Sequence, residues 1–164
     1  MNILIACIGN IFLGDDGFGV EVARALAPRP LPEGVLVKDL GIRGLDLAYA
    51  LLDPRDLTIL VDACPLGGIP GTLYVIEPGE EPGEASIDPH SMNPMNALRT
   101  VRSMGGPAGP VLIVGCEPVD LGPKEGKLGL SQPVAAAVQE AAALIEALVE
   151  KVLRGESAVA VTHT

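Results

Sequence analysis

The chain has 164 residues and a formal charge of −10, with apolar residues at 48% and aromatics at only 2%. That length suits one domain able to bury roughly 70% of the surface its unfolded form exposes, so neither disulfide nor metal is required for folding. The acidic balance argues against nucleic acid and anionic membranes as partners, since both demand clustered Lys and Arg.

From the N-terminus, the pattern predicts a buried strand from Asn2 to Ile8, broken at Gly9-Asn10. Asp15-Asp16-Gly17 opens a helix whose apolar face is Phe18, Val22, Ala25 and Leu26. A Pro-rich connection leads to a second strand, Val35 to Asp39, closed by a turn at Gly41-Ile42-Arg43-Gly44. A short helix from Leu45 to Leu52 stops near Pro54. The third strand, Leu57 to Val61, ends in Asp62. A fourth, Thr72 to Ile76, follows after nine residues. A parallel crossover needs a dozen or more, so the fourth strand is expected to run antiparallel to the third.

Beyond a Pro/Gly/Glu-rich loop from Pro78 to Pro89, Asn93 and Pro94 open a helix carrying Met95, Leu98 and Val101. Pro110 to Val114 is the fifth strand. The last helix opens at Ser131 and runs to about Arg154, with Val134, Val138, Ile145, Leu148 and Val152 on one side. The domain is therefore expected over residues 1–154, with residues 155–164 as a flexible tail. No secretory leader is recognised at Met1-Asn2-Ile3, and no apolar run is counted as long enough for a membrane span, so the expected location is cytoplasmic.

Strand–helix alternation of this kind gives a three-layer α/β/α sandwich of phosphorylase/hydrolase-like type, with a mostly parallel five-stranded sheet and one antiparallel strand. Right-handed crossovers set the order 2-1-3 and leave the outer order open. Ligands in such sheets bind beyond the carboxyl ends of the strands, where the winding reverses. Strand 1 brings Asp15 and Asp16 to that edge and strand 3 brings Asp62. His90, just before the helix from Asn93, is expected at the same crevice.

The loop Gly9 to Gly14 sits where dinucleotide loops sit. It has neither the GxGxxG spacing nor a P-loop Lys, and two carboxylates stand where a pyrophosphate would bind. A cation suits the place better. The helix dipole is expected to keep an N-terminal carboxylate ionised, as a ligand must be. Two carboxylates and one imidazole suit nickel, zinc, manganese or iron, and are too few and too nitrogen-rich for calcium. Each residue also has a plain structural explanation. Asp15 and Asp16 are ordinary helix caps, Asp62 an acid that stops a strand, and His90 a cap or a solvated side chain. Cys7, Cys64 and Cys116 fit no disulfide or zinc spacing and suit buried strand positions.

Several segments together resemble the hydrogenase maturation endopeptidases. They are Gly9-Asn10 with Asp15-Asp16-Gly17-Phe18-Gly19, Asp39 to Gly44 with Asp46-Leu47, Leu60-Val61-Asp62-Ala63, Pro70-Gly71-Thr72 and Asp88-Pro89-His90. Gly115-Cys116-Glu117-Pro118 and Gly129-Leu130-Ser131 also fit, so the likeness spans about residues 1–153. It implies an α/β/α endopeptidase that removes a C-terminal extension from the nickel-loaded large-subunit precursor of a [NiFe] hydrogenase. It further implies Asp16, Asp62 and His90 as metal ligands and catalytic residues, with nickel supplied by the precursor and zinc or cadmium as surrogates. Such families often carry Glu at the first position, so Asp15 stays open as an alternative to Asp16. Gly41 and Gly44 would let a peptide backbone approach, and Arg43 would meet the carboxylate of the extension. The alternative in another class is a metal-binding accessory protein or chaperone that holds the precursor without cutting it.

Overall fold

The structure is a computed structural model that describes residues 1–41, 49–78, 102–103, 105, 109–121 and 126–156. Five strands form one sheet: β1 (Ile3–Ile8), β2 (Val35–Gly41), β3 (Leu57–Ala63), β4 (Leu73–Ile76) and β5 (Val111–Cys116), in the order β2-β1-β3-β5-β4. The first four pair in parallel and β4 runs antiparallel to β5. The direction of β4 is as expected from the short connection. Its neighbour is not β3, because β5 fills the gap between them. The connection after β3 crosses the end of β5, held by Cys64 N–H donating to Cys116 O (2.9 Å) and Gly71 N–H to Glu117 O (2.8 Å).

Burial follows position in the sheet. Strands β1, β3 and β5 are buried at every residue, whereas β2 and β4 at the edges are not. Continuous Val/Ile/Leu runs are what a parallel strand covered on both faces requires. Alternate residues serve two cores. Ile3, Ile5, Cys7, Ile59, Val61, Leu112 and Val114 pack under two helices, α1 (Phe18–Leu26) and α2 (Gln132–Leu153). Leu4, Ala6, Ile8, Leu60 and Ile113 pack on the other face against Ala50 and Leu51, in a helical segment at residues 49–52. The chain is thus layered on both sides of the sheet, as an α/β/α sandwich is.

Helix α1 buries Phe18, Val22 and Leu26 as its spacing predicts, and adds Gly19, Val20 and Ala23. Gly19 is the point of closest approach. A β-carbon there would overlap the carbonyl oxygens of Ile8 and Val61, so α1 rests directly on the ends of β1 and β3. Helix α2 buries Val134, Val138, Ile145, Leu148 and a stripe of alanines between them. Each large apolar side chain so covered contributes about 1.5–3 kcal/mol. Those alanines also make α2, at 22 residues and a mean hydropathy of 1.2, long and apolar enough to cross a bilayer by composition alone. The sequence reading counts no such run. In the fold, the fully buried Val134, Ala141, Ile145 and Leu148 lie against the sheet and α1.

The first residues of the helix expected over Leu45 to Leu52, most of the loop from Pro78 to Pro89, the helix from Asn93 and the tail from residue 157 lie outside the described residues.

Candidate functional site

Two of the predicted site residues, Asp16 and Asp62, stand at the carboxyl edge of β1 and β3. His90, Arg43 and Gly44 lie outside the described residues. Gly41 ends β2 with a φ of +54°, a conformation that favours glycine, and a side chain added there would meet open space. Its carbonyl accepts from Gly9 N–H (2.9 Å), which ties the ends of β2 and β1 together.

Strand β1 stops at Gly9, and Asn10 folds the loop back. The Asn10 side chain accepts from Phe12 N–H (2.9 Å), and the Asn10 backbone N–H donates to Asp16 Oδ2 (3.0 Å). Asp15 and Asp16 sit on a short 3-10 turn, Gly14–Gly17, before α1. Neither acid caps a helix, since no side-chain cap hydrogen bond forms at the start of the turn or of α1.

The two adjacent acids have opposite surroundings. Asp15 is 2% exposed, and its carboxylate accepts from Ser131 N–H (2.7 Å), Val119 N–H (2.8 Å) and the Ser131 hydroxyl (2.8 Å). These three donors hold Asp15 in place, whereas Asp16 is half-buried and its carboxylate accepts from Asn10 N–H. Ser131 opens α2 at the expected place, but its hydroxyl serves Asp15 rather than its own helix.

Asp62 differs from its expected setting. It lies inside β3, in register with Gly115 of β5, and does not terminate the strand. It is 2% exposed, and its Oδ1 accepts from Ala63 N–H (2.8 Å). Burial, and then the negative charge of Asp16, hold its carboxyl well above the usual 3.8, against the pull of the Ala63 N–H. Burial also raises Asp16, and the Asn10 N–H only partly opposes it. Desolvation at Asp16 thus acts against the ionised form that the helix N-terminus favours. Two carboxylates that each resist ionisation, one raising the other, form a place where a cation is stabilising. Among the described residues no group of three potential ligands is complete.

Sequence reasoning missed Glu117. It directly follows the buried strand β5, and an acid closing an apolar run was the available signal. Glu117 Oε1 accepts from the Tyr74 hydroxyl (2.7 Å), Gly68 N–H (2.8 Å) and Leu66 N–H (2.9 Å), so one oxygen holds the segment that follows Asp62. Burial works to raise its carboxyl, but these donors outweigh it and the net shift is downward. The bond to Glu117 also pushes the Tyr74 phenol up to about 12. Tyr74→Phe is expected to cost about 1 kcal/mol in urea denaturation and to speed amide exchange at Leu66 and Gly68.

The cysteines are free and buried, as expected. Burial, followed by nearby carboxylates, pushes Cys7, Cys64 and Cys116 each up to about 12. A thiol held that high carries no useful thiolate at neutral pH, which argues against a cysteine nucleophile. A cavity of about 390 Å³ opens between the Asp16 loop and α2, lined by Ile11, Gly14, Gly17, Glu21, Leu130 and Val138.

The family model described as hydrogenase maturation protease matches residues 20–148. The chain is 34% identical over 154 residues to a putative hydrogenase maturation protease of Methanocaldococcus jannaschii, covering 92% of this chain and 97% of that one. It is 32% identical over 163 residues to the hydrogenase 2 maturation protease of Escherichia coli, covering 94% and 97%. Among solved structures, the hydrogenase maturating endopeptidase HybD from Escherichia coli superposes with a TM-score of 0.76 at 30% identity, over 93% of this chain and 94% of the other. An α/β sandwich with the half-buried Asp16 and the buried Asp62 at its carboxyl edge is thus set among peptide-bond hydrolases. The chain belongs to the hydrogenase maturation protease family, and it is an endopeptidase.

Proposed function

We propose that this protein removes the C-terminal extension of the nickel-loaded large-subunit precursor of a [NiFe] hydrogenase, working in the cytoplasm. The observation that carries the reading is the Asp16–Asp62 pair, the first half-buried and the second fully buried, with the charge of Asp16 opposing that of Asp62 and one backbone N–H supporting each carboxylate. Such a pair is stabilised by a cation, and a cation arriving with the substrate makes metal loading the condition for productive docking. Nickel is in this reading part of the substrate. His90 is proposed as the third ligand on the strength of the sequence resemblance. Gly41, Arg43 and Gly44 are proposed to meet the peptide.

The protein's own contribution is positional. Asn10 N–H orients the Asp16 carboxylate and Ala63 N–H orients that of Asp62, so both are preset before the substrate arrives. A bound divalent ion supplies Lewis acidity toward a carbonyl or a water. Three buried free thiols fit a reducing compartment.

The test is to incubate the protein with nickel-loaded and nickel-free precursor and weigh the products. Loss of a C-terminal peptide from the loaded precursor alone is expected. Asp16→Asn is expected to lower the cleavage rate at least about 100-fold, as loss of a metal-facing charge does. Tight binding with unchanged mass would instead make the protein a chaperone and overturn the reading.

A further inference from the structure

We propose that Asp15 is a positioning residue for Asp16: its carboxylate locks the loop that carries Asp16 to two distant segments and so sets where Asp16 stands. The part of this that concerns cleavage rests on the function proposed above. Asp16 has little support of its own. Its side chain is held by the Asn10 N–H, and its backbone N–H donates to Leu13 O (3.2 Å) within the same short turn. What fixes that turn against the rest of the molecule lies one residue earlier. Asp15 takes Val119 N–H from the segment after β5, and both the N–H and the hydroxyl of Ser131 from the start of α2. A third stretch, ahead of α2, meets the loop beside it, where Gly14 N–H donates to Lys127 O (2.8 Å) and Lys127 N–H donates to Phe12 O (2.7 Å). The buried end of the turn is therefore fastened from residues 119, 127 and 131, and Asp16 projects from the fastened piece.

The chemistry requires a carboxylate at Asp15. Ser131 N–H reaches Oδ1, while Val119 N–H and the Ser131 hydroxyl reach Oδ2. Two backbone N–H groups on opposite oxygens need two acceptors. Asparagine offers one acceptor and one NH₂, so Asp15→Asn sets a donor against a donor in a buried site and leaves one N–H unpaired.

Three variants separate positioning from plain stability. Asp15→Asn breaks the lock, and Ser131→Ala removes one donor of three. Leu148→Ala removes fully buried apolar volume far along α2. Amide exchange at Asn10 reports Asp16 directly, because that N–H is held by Asp16 Oδ2 and Asp16 O. Exchange at Asn10 is expected to rise at least about 10-fold in Asp15→Asn and less in Ser131→Ala, and to stay unchanged in Leu148→Ala. Cadmium affinity by titration calorimetry and kcat on nickel-loaded precursor are each expected to fall about 10–100-fold in Asp15→Asn, with KM nearly constant. Leu148→Ala should lower Tm without moving either. Unchanged exchange at Asn10, or losses in Asp15→Asn no larger than in Leu148→Ala, would overturn the proposal. Should Asp15→Asn not fold, Ser131→Ala decides by the same readings. If the wild-type protein cuts no precursor, the function proposed above fails, while the exchange at Asn10 still judges Asp15.

Discussion

Asp62→Asn is expected to leave nickel-loaded precursor uncut while making the metal-free protein more stable. Two effects of one carboxylate produce this pairing. Asp62 is buried inside β3, facing the charge of Asp16, and its folded-state carboxyl stands well above 3.8. A carboxyl raised by folding binds more protons in the folded state than in the unfolded state. Stability is therefore greatest below the unfolded value and falls as pH rises from 3.8 toward the folded value. At neutral pH the fold therefore bears the cost of either desolvating this carboxylate or keeping it protonated. Asparagine has nearly the same shape and keeps an oxygen for the Ala63 N–H, but carries no charge. A gain of about 1 kcal/mol at pH 7 follows, of the kind seen when a functional charge is removed from a strained site. Urea denaturation from pH 4 upward should show the wild-type slope flattened in the variant. Mass spectrometry of the precursor should show a loss of cleavage of at least about 100-fold. A variant both stable and active would separate Asp62 from the chemistry.

Gly19→Ala is expected to destabilise by roughly 3 kcal/mol, although the same change at an exposed helical position stabilises by about 1 kcal/mol. The sign reverses because α1 has no clearance at this residue. A methyl group would overlap the carbonyl oxygens of Ile8 and Val61, which are backbone atoms of the central strands and cannot rotate away. Either α1 lifts, opening the core around Phe18 and Val22, or β1 and β3 shift at the ends that present the Asp16 loop and Asp62. Thermal unfolding reads the loss, and a Tm equal to that of the wild type would contradict the close contact.

Local chemistry alone made much of this legible. Buried strands announce themselves as continuous β-branched runs, and helices as apolar stripes punctuated by Gly and Pro. Crossover handedness then fixes the order 2-1-3 and sends the first and third loops to one edge. Asp16 and Asp62 are readable as partners for that reason. Glu117 was readable in principle by the same logic, as an acid closing a buried strand. What one acid does and its neighbour does not was out of reach. Asp15 and Asp16 are chemically identical in sequence, and their roles diverge because Val119 and Ser131, more than 100 residues away, meet one and not the other.

By itself, then, the sequence determined the elements, their direction and the edge where the acids gather, because those follow from periodicity, turn residues and chain handedness within short windows. Only the tertiary structure decided that β5 lies between β3 and β4, that Asp15 rather than Asp16 is held by Val119 and Ser131, and that burial raises the carboxyls of Asp16 and Asp62. Strand insertion, hydrogen-bond saturation and desolvation all depend on what distant residues bring into contact, and no local window contains that information.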